Sequence, residues 1–238
     1  MKLQAVLFDA YGTLFDVYSV GHLAEQMFPS HGERLAVLWR DKQIDYTRLV
    51  SMSGPAEAAP HTAHSGSPFY RSFWELTRAA LRYAAARLQL PLPVEAEERL
   101  MNAYCHLSTF PENREVLLAL KKRGIPTGIL SNGDPDMLHA AIESAGLQGL
   151  LQHVISVHSV RRFKTDPAAY ALGTAALGLP AGDVLFVSSN GWDAIGATWF
   201  GYSTLWVNRS DLPLDPLGTQ PTYTGRSLRD VLPLIPAL

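Results

Sequence analysis

The sequence predicts an α/β fold: a doubly wound parallel sheet carrying an inserted all-helical block. Three observations predict it. Short apolar runs end repeatedly in polar residues, helical stretches separate most of those runs, and residues 18–110 read as helix and loop only.

The first run is Ala5-Val6-Leu7-Phe8, ending at Asp9. Such short apolar runs without alternation suit strands buried on both faces of a parallel sheet. The helical block follows, with a helix over 32–50 carrying Leu35, Leu38 and Trp39. A second helix, over 69–90, spaces Phe73, Trp74, Thr77 and Leu81 at helical intervals, and a third covers 95–107. Between the first two, residues 51–68 hold Gly54, Pro55, Pro60, Gly66 and Pro68, so a loop is predicted there. A helix over 115–122 with Val116, Leu117 and Leu120 on one side ends at Gly124.

The second run is Thr127-Gly128-Ile129-Leu130, ending at Ser131-Asn132-Gly133. Pro135 starts a helix with Met137, Leu138, Ala141 and Ile142 as its apolar face, and Gly146 stops it. A weaker run, Val154-Ile155-Ser156-Val157, precedes another proline-started, glycine-stopped helix over 167–178. Val184-Leu185-Phe186-Val187 is the fourth run, followed by a helix over 193–200, and Thr204-Leu205-Trp206-Val207 the fifth. The result is a Rossmann-like core over residues 1–17 and 111–238, with a helical cap domain over 18–110.

Composition narrows the function classes. The chain has 238 residues, and at about 150 residues per domain that fits a core with an insert. Hydrophobic residues make up 47% and charged residues 18%, which excludes global disorder. A formal net charge of −2 excludes a basic nucleic-acid footprint. The single cysteine, Cys105, excludes a disulfide framework or a cysteine metal cluster, and on its helix it reads as a buried small side chain. Asp9 breaks the N-terminal apolar run too early for a secretory segment, and no stretch approaches the ~20 apolar residues of a membrane span. A cytoplasmic protein without membrane or nucleic-acid partners is expected.

Ligands of open α/β sheets bind at the carboxyl ends of the strands. Asp9, Ser131, Asn132, Ser188, Asn190 and Asp193 sit at such ends, and Lys164 follows the third run. Singly, Asp and Ser often do no more than cap turns and helices. As a set at matching strand ends they converge two carboxylates, an ammonium and several hydroxyl and amide groups on one crevice.

In order, these residues resemble the motifs of the haloacid dehalogenase superfamily. Phe8-Asp9-Ala10-Tyr11-Gly12-Thr13 is similar to the first motif and Leu130-Ser131-Asn132-Gly133 to the second. Lys164 with Asp166-Pro167 matches the third, and Val187-Ser188-Ser189-Asn190-Gly191-Trp192-Asp193 the fourth. With Trp39-Arg40-Asp41-Lys42-Gln43 in the cap, the resemblance spans nearly the whole chain and is greatest to the L-2-haloacid (type II) dehalogenases. Two departures from the phosphatases of the superfamily have physical readings. Tyr11 stands where they carry a general acid, and halide, the anion of a strong acid, leaves without a proton. Ser189 stands where they carry a magnesium-binding Asp, and a hard cation needs carboxylate oxygens. No metal or cofactor is therefore expected.

The resemblance implies that Asp9 is a nucleophile forming an ester with the α-carbon of a short (S)-2-haloalkanoic acid, giving an (R)-2-hydroxy acid and halide with inversion. It implies that Lys164 orients Asp9, and that Ser188, Asn190 and Asp193 position or activate the hydrolytic water. Thr13 and Tyr170 match further positions needed for activity. Ser131, Asn132 and the backbone N–H groups of Ala10 and Tyr11 are expected to hold the substrate carboxylate. Arg40 alone reads as a solvated charge; with the resemblance it becomes the cation over the departing halide. It shares a helix face with Gln43 and Ile44, and Gln43, Ile44, Phe73 and Trp192 are expected around the substrate carbon, although each apolar one could be plain core. The partners are thus a 2-haloacid and water, and members of the family are often homodimers. Alternatives from the same fold are a phosphomonoesterase, a fluoroacetate-type defluorinase and a silent binding protein. The last would be marked by loss of Asp9, Lys164 or Asp193, and all three are present. His61 and His64 form an H-x-x-H pair without an acidic partner except Glu57, Asn208-Arg209-Ser210 is a chance glycosylation sequon, and Lys121-Lys122-Arg123 reads as a solvated helix end.

Overall fold

The computed structural model of the chain describes residues 3–53 and 66–235. Its centre is a parallel six-stranded sheet in the order β3-β2-β1-β4-β5-β6. The strands are β1 (Ala5–Phe8), β2 (Thr127–Ser131), β3 (His153–Ser156), β4 (Val184–Ser188), β5 (Ser203–Val207) and β6 (Tyr223–Gly225). Strand order reverses between β1 and β4, where Phe8 registers with Val187. A doubly wound sheet opens its ligand crevice at that switch point, so the residues just after β1 and β4 are the ones the topology exposes to a ligand.

Helices α5 (Asn113–Lys122), α6 (Pro135–Ser144), α7 (Pro167–Leu177) and α8 (Gly191–Phe200) belong to the crossovers. Pro135 and Pro167 open their helices, and Gly178 and Gly201 close theirs in the left-handed conformation at φ 64° and 109°. Between β1 and α5 lie α1 (Gly21–Met27), α2 (Gly32–Met52), α3 (Phe73–Arg87) and α4 (Val94–Cys105), the helical cap. Helix α2 turns Leu35, Trp39, Ile44 and Thr47 inward, and α3 does so with Phe73, Leu76, Thr77 and Leu81. These apolar faces merge with the sheet's residues into one continuous buried cluster. Among the described residues no helix is long and apolar enough to cross a membrane.

The structure departs from expectation in several places. β3 is only partly buried because it forms the sheet edge, so the two-sided burial expected of it does not occur. α1 and β6 are additional elements, and α3 is shorter than the predicted 69–90. The expected loop at 51–68 begins with helical Ser51 and Met52; most of it, including His61, His64 and Glu57, lies outside the described residues. Arg123 is not a solvated helix end: it is half-buried and donates to the carbonyls of Leu232 and Ile235. Asn208 makes a local turn with Leu212 through both ends of its amide. Cys105, at the end of α4, is half-buried, and burial pushes its thiol upward and away from reactivity.

Candidate active site

Asp9 is buried directly after β1, and three side chains, nearby Thr13 and the distant Lys164 and Asn190, donate to its carboxylate. Lys164 Nζ lies 3.0 Å from Oδ1, while Thr13 Oγ1 at 3.0 Å and Asn190 Nδ2 at 2.9 Å share Oδ2. A carboxylate oxygen offers two lone pairs. Oδ2 is therefore filled and Oδ1 keeps one free. Thr13 is held in the donating sense, since its oxygen accepts the Ser189 N–H at 2.8 Å.

Lys164 is fully buried and also reaches Asp193 Oδ2 at 3.0 Å, so one ammonium bridges two carboxylates. The Phe186 ring lies below it, 4.8 Å from Nζ. The Lys164 N–H donates to Asn132 Oδ1 at 2.9 Å, which ties the lysine segment to the end of β2. Asp193 is completely buried on α8, and Tyr170 Oη donates to its Oδ1 at 2.8 Å. Burial lifts the Asp193 carboxyl above the usual carboxylate range; Lys164 opposes the rise and the charge on Asp9 adds to it. The Tyr170 hydroxyl is itself raised well above its ordinary value, first by burial and then by Asp193, so it remains a donor.

Arg40 enters from α2. Its guanidinium donates to Tyr11 O at 3.0 Å, to Asn190 Oδ1 at 3.3 Å and to Gln43 Oε1 at 2.7 Å. Sequence reasoning placed Gln43 against substrate. Here its oxygen also accepts from Tyr104 Oη and its nitrogen donates to Thr77 Oγ1 at 2.6 Å, so both ends of the amide are committed to holding Arg40. With Asp9, Asp193, Lys164 and Arg40, the site sets two carboxylates against two cations, which is why it leaves no trace in the net charge.

The remaining expected residues divide into two groups. Ser131 and Ser188 are buried at the ends of β2 and β4 and accept the N–H groups of Gly133 and Asn190. Among the described residues the N–H groups of Ala10 and Tyr11 have no acceptor, so they are free to bind an anion. Ile44 and Trp192 line a cleft of about 870 Å³ that Arg40, Asn190 and Arg209 also border. Phe73 lies on the other side, buried, its ring 5.5 Å from that of Tyr11 and 6.3 Å from that of Phe163. The Tyr11 hydroxyl is buried without a hydrogen-bond partner, and burial holds it protonated.

Several supporting residues escaped sequence reasoning. Arg209 donates to Ser189 Oγ at 2.6 Å and to Thr13 O at 3.2 Å, stacks 3.8 Å from the Phe110 ring and pairs with Glu112 at 3.0 Å. It thereby fixes the two residues that aim the Thr13 hydroxyl. Its sequence signal, a match to a sequon, pointed elsewhere. Asp134, directly before Pro135, leaves α6 without a side-chain cap, and its carboxylate reaches α3 of the cap. Among the described residues no three His, Cys, Asp or Glu side chains gather as a metal site.

A nucleophile-like Asp after β1, a bridging Lys and an Asp on the helix after β4 agree with a family match. Residues 3–201 fit the haloacid dehalogenase-like hydrolases. The chain belongs to that family. It is 38% identical to the (S)-2-haloacid dehalogenase of Pseudomonas sp. (strain YL), over 98% of this chain and 94% of that one. A crystal structure of an L-2-haloacid dehalogenase is 55% identical over 99% of each chain, with a TM-score of 0.92. The L-2-haloacid dehalogenase of Xanthobacter autotrophicus with chloropropionic acid covalently bound is 34% identical over 98% of each chain, with a TM-score of 0.85. Within the hydrolase family, the chain is thus similar along its whole length to enzymes that cleave carbon–halogen bonds.

Proposed function

We propose that the protein hydrolyses short (S)-2-haloalkanoic acids to (R)-2-hydroxy acids and halide through an ester on Asp9. The observation that carries this reading is the Asp9 carboxylate itself. Three donors fix its plane, two of them filling Oδ2, and the remaining lone pair of Oδ1 is free to attack. The names of the similar enzymes supply the substrate class.

In this mechanism the substrate carboxylate rests on the N–H groups of Ala10 and Tyr11, with Ser131 and Asn132 beside it. Asp9 Oδ1 forms a bond to the α-carbon as the carbon–halogen bond breaks, and the bonding pair leaves with the halide toward Arg40. Negative charge grows on the halogen only as the bond breaks, so a fixed guanidinium favours the transition state over the bound substrate. Phe73, Ile44 and Trp192 form the apolar surround. Water then adds to the ester carbonyl, giving a proton to Asp193, whose raised affinity suits it to that role. Ser188 and Asn190 position that water. Collapse breaks the bond to the α-carbon oxygen, which takes the proton back from Asp193 as the hydroxy acid leaves. The second water proton is lost to solvent as the Asp9 carboxylate is restored. No step calls for a metal, since the leaving group needs no Lewis acid and the cations are built in.

The core at 1–17 and 111–238, the cap at 18–110 and a cytoplasmic location belong to the same proposal. Every residue invoked comes from one chain, so a homodimer would carry two complete sites. The test incubates the protein in EDTA with chloroacetate and with each enantiomer of 2-chloropropionate. Halide is expected from chloroacetate and the (S) enantiomer alone, and Asp9→Asn lowers the rate by at least about a thousandfold. Mg²⁺-dependent phosphate release from a phosphomonoester, with no halide from any haloacid, would overturn the assignment.

A further inference from the structure

The first turn of α3 is secured in an unusual way. The first four N–H groups at a helix start lack intrahelical partners and need acceptors from elsewhere. The Glu75 N–H is satisfied locally, by Ser72 Oγ at 3.2 Å, and Glu75 returns the bond to the Ser72 N–H at 2.8 Å. The Phe73 and Trp74 N–H groups go across the domain boundary, to Asp134 Oδ1 at 3.1 Å and Oδ2 at 2.8 Å. Asp134 is a buried core residue that directly follows Ser131, Asn132 and Gly133. It takes both oxygens to a helix of the other domain while its own helix, α6, receives no side-chain cap from it. A carboxylate at the positive end of α3 is favourable electrostatically as well.

What hangs from this anchor reaches the active site. The carbonyl of Phe73 accepts the Thr77 hydroxyl at 2.7 Å. Thr77 Oγ1 accepts Gln43 Nε2 at 2.6 Å, and Gln43 Oε1 accepts Arg40 Nη1 at 2.7 Å. Every donor and acceptor along the path has a single sense, because Arg40 can only donate and the Phe73 carbonyl can only accept. From Asp134 the path therefore runs through α3 to Arg40 without a gap, and its first residue is Phe73, which packs against Tyr11.

We propose that Asp134 is a positioning residue that registers the cap on the core, setting Phe73 and Arg40 over Asp9. Its carboxylate fixes how far α3 slides along the end of β2, and that displacement carries the apolar wall and the halide-facing cation together. This rests on the proposed haloacid reaction for the meaning of Arg40 and Phe73, although the clamp itself is a feature of the fold. Tyr70 Oη and Asp134 Oδ1 both approach His158 Nδ1, at 3.0 and 3.2 Å, which adds a second link between the same two surfaces.

The experiment compares Asp134→Ala, Asp134→Asn and Glu75→Ala in the full chain. Each is measured for kcat and KM with (S)-2-chloropropionate, thermal midpoint, and amide hydrogen exchange over residues 72–77. Glu75→Ala weakens the same helix turn but leaves the cross-domain bonds in place. For Asp134→Ala we expect about a tenfold or greater loss in kcat/KM, with both kcat and KM affected, and faster exchange at Phe73 and Trp74. Asp134→Asn keeps one acceptor oxygen and falls between it and the wild type, whereas Glu75→Ala stays within about twofold. Equal losses in Asp134→Ala and Glu75→Ala, or wild-type kcat/KM in Asp134→Ala, overturn the proposal. If the wild type releases no halide from any haloacid, the assigned reaction fails. Exchange then decides the clamp by itself: acceleration at Phe73 and Trp74 confined to the Asp134 variants supports it, and its absence removes it.

Discussion

Asp9 and Asp193 share the ammonium of Lys164, but their surroundings differ. Asp193 is fully buried and its carboxyl is raised by that burial, against which Lys164 and the Tyr170 hydroxyl stabilise its charge. Tyr170→Phe removes a hydrogen bond made to the charged form, so the Asp193 carboxyl rises further. If Asp193 takes a proton during ester hydrolysis, the acidic limb of the kcat–pH profile moves to higher pH in this variant, while activity at the alkaline side is less affected. The stability effect follows the same sign. A raised carboxyl favours the fold when protonated and loses that contribution as pH rises through its folded value. The deficit of Tyr170→Phe, about 1–3 kcal/mol at neutral pH, therefore shrinks on acidification, and thermal midpoints across pH check it. An unmoved acidic limb would mean that Asp193 does not set it. The principal residues were legible because each sits at a strand end or in an ordered motif. Arg209, Glu112 and Asp134 were not, since their side-chain partners lie 20 or more positions away and no local pattern encodes them.

The crossover helices carry the site by how closely they approach one another. Gly196 on α8 shows the limit: a Cβ there would lie 2.6 Å from Thr165 Cγ2 and 2.7 Å from Tyr170 Oη. Both neighbours belong to the machinery beneath Asp193, so the glycine sets the distance between α8 and the Lys164–Tyr170 segment. Gly196→Ala forces them apart, at about 1–3 kcal/mol, and lowers the thermal midpoint by roughly 2–10 °C. Because Tyr170 is displaced from Asp193, its acidic limb should shift in the same direction as in Tyr170→Phe; a stable variant with an unchanged pH profile would contradict this account. At this scale the sequence was informative where elements were long or fully buried. β1, β2, β4 and β5 follow from uninterrupted apolar runs and α6 and α7 from proline starts. The seven-residue α1 and three-residue β6 are too short to show a period, and tertiary neighbours decide them.

Across the molecule, cap and core are separate in chain topology and continuous in packing. One buried cluster includes Leu7, Phe8 and Phe186 from the sheet together with Trp39, Phe73 and Leu100 from the cap. Polar links cross the boundary at the same places: Arg40 to Tyr11 and Asn190, Asp134 to α3, and Ser51 to both backbone groups of Phe163. Domains joined by a small polar interface move and unfold separately. Here unfolding the cap alone would expose the sheet's share of the cluster to water, strip Asp134 of both α3 N–H donors and part Asn190 from Arg40. Each apolar side chain so exposed costs about 1.5–3 kcal/mol, a penalty on the core that adds to the loss of the cap's own packing and disfavours unfolding the cap by itself. The cap should therefore have no stability of its own. Calorimetry is expected to give a single transition with a van't Hoff enthalpy equal to the calorimetric one. Circular dichroism, dominated by helix, should coincide with the fluorescence of Trp206 on β5. An earlier helical transition, with Trp206 still native, would show instead that the cap is a lid that unfolds independently of the sheet it covers.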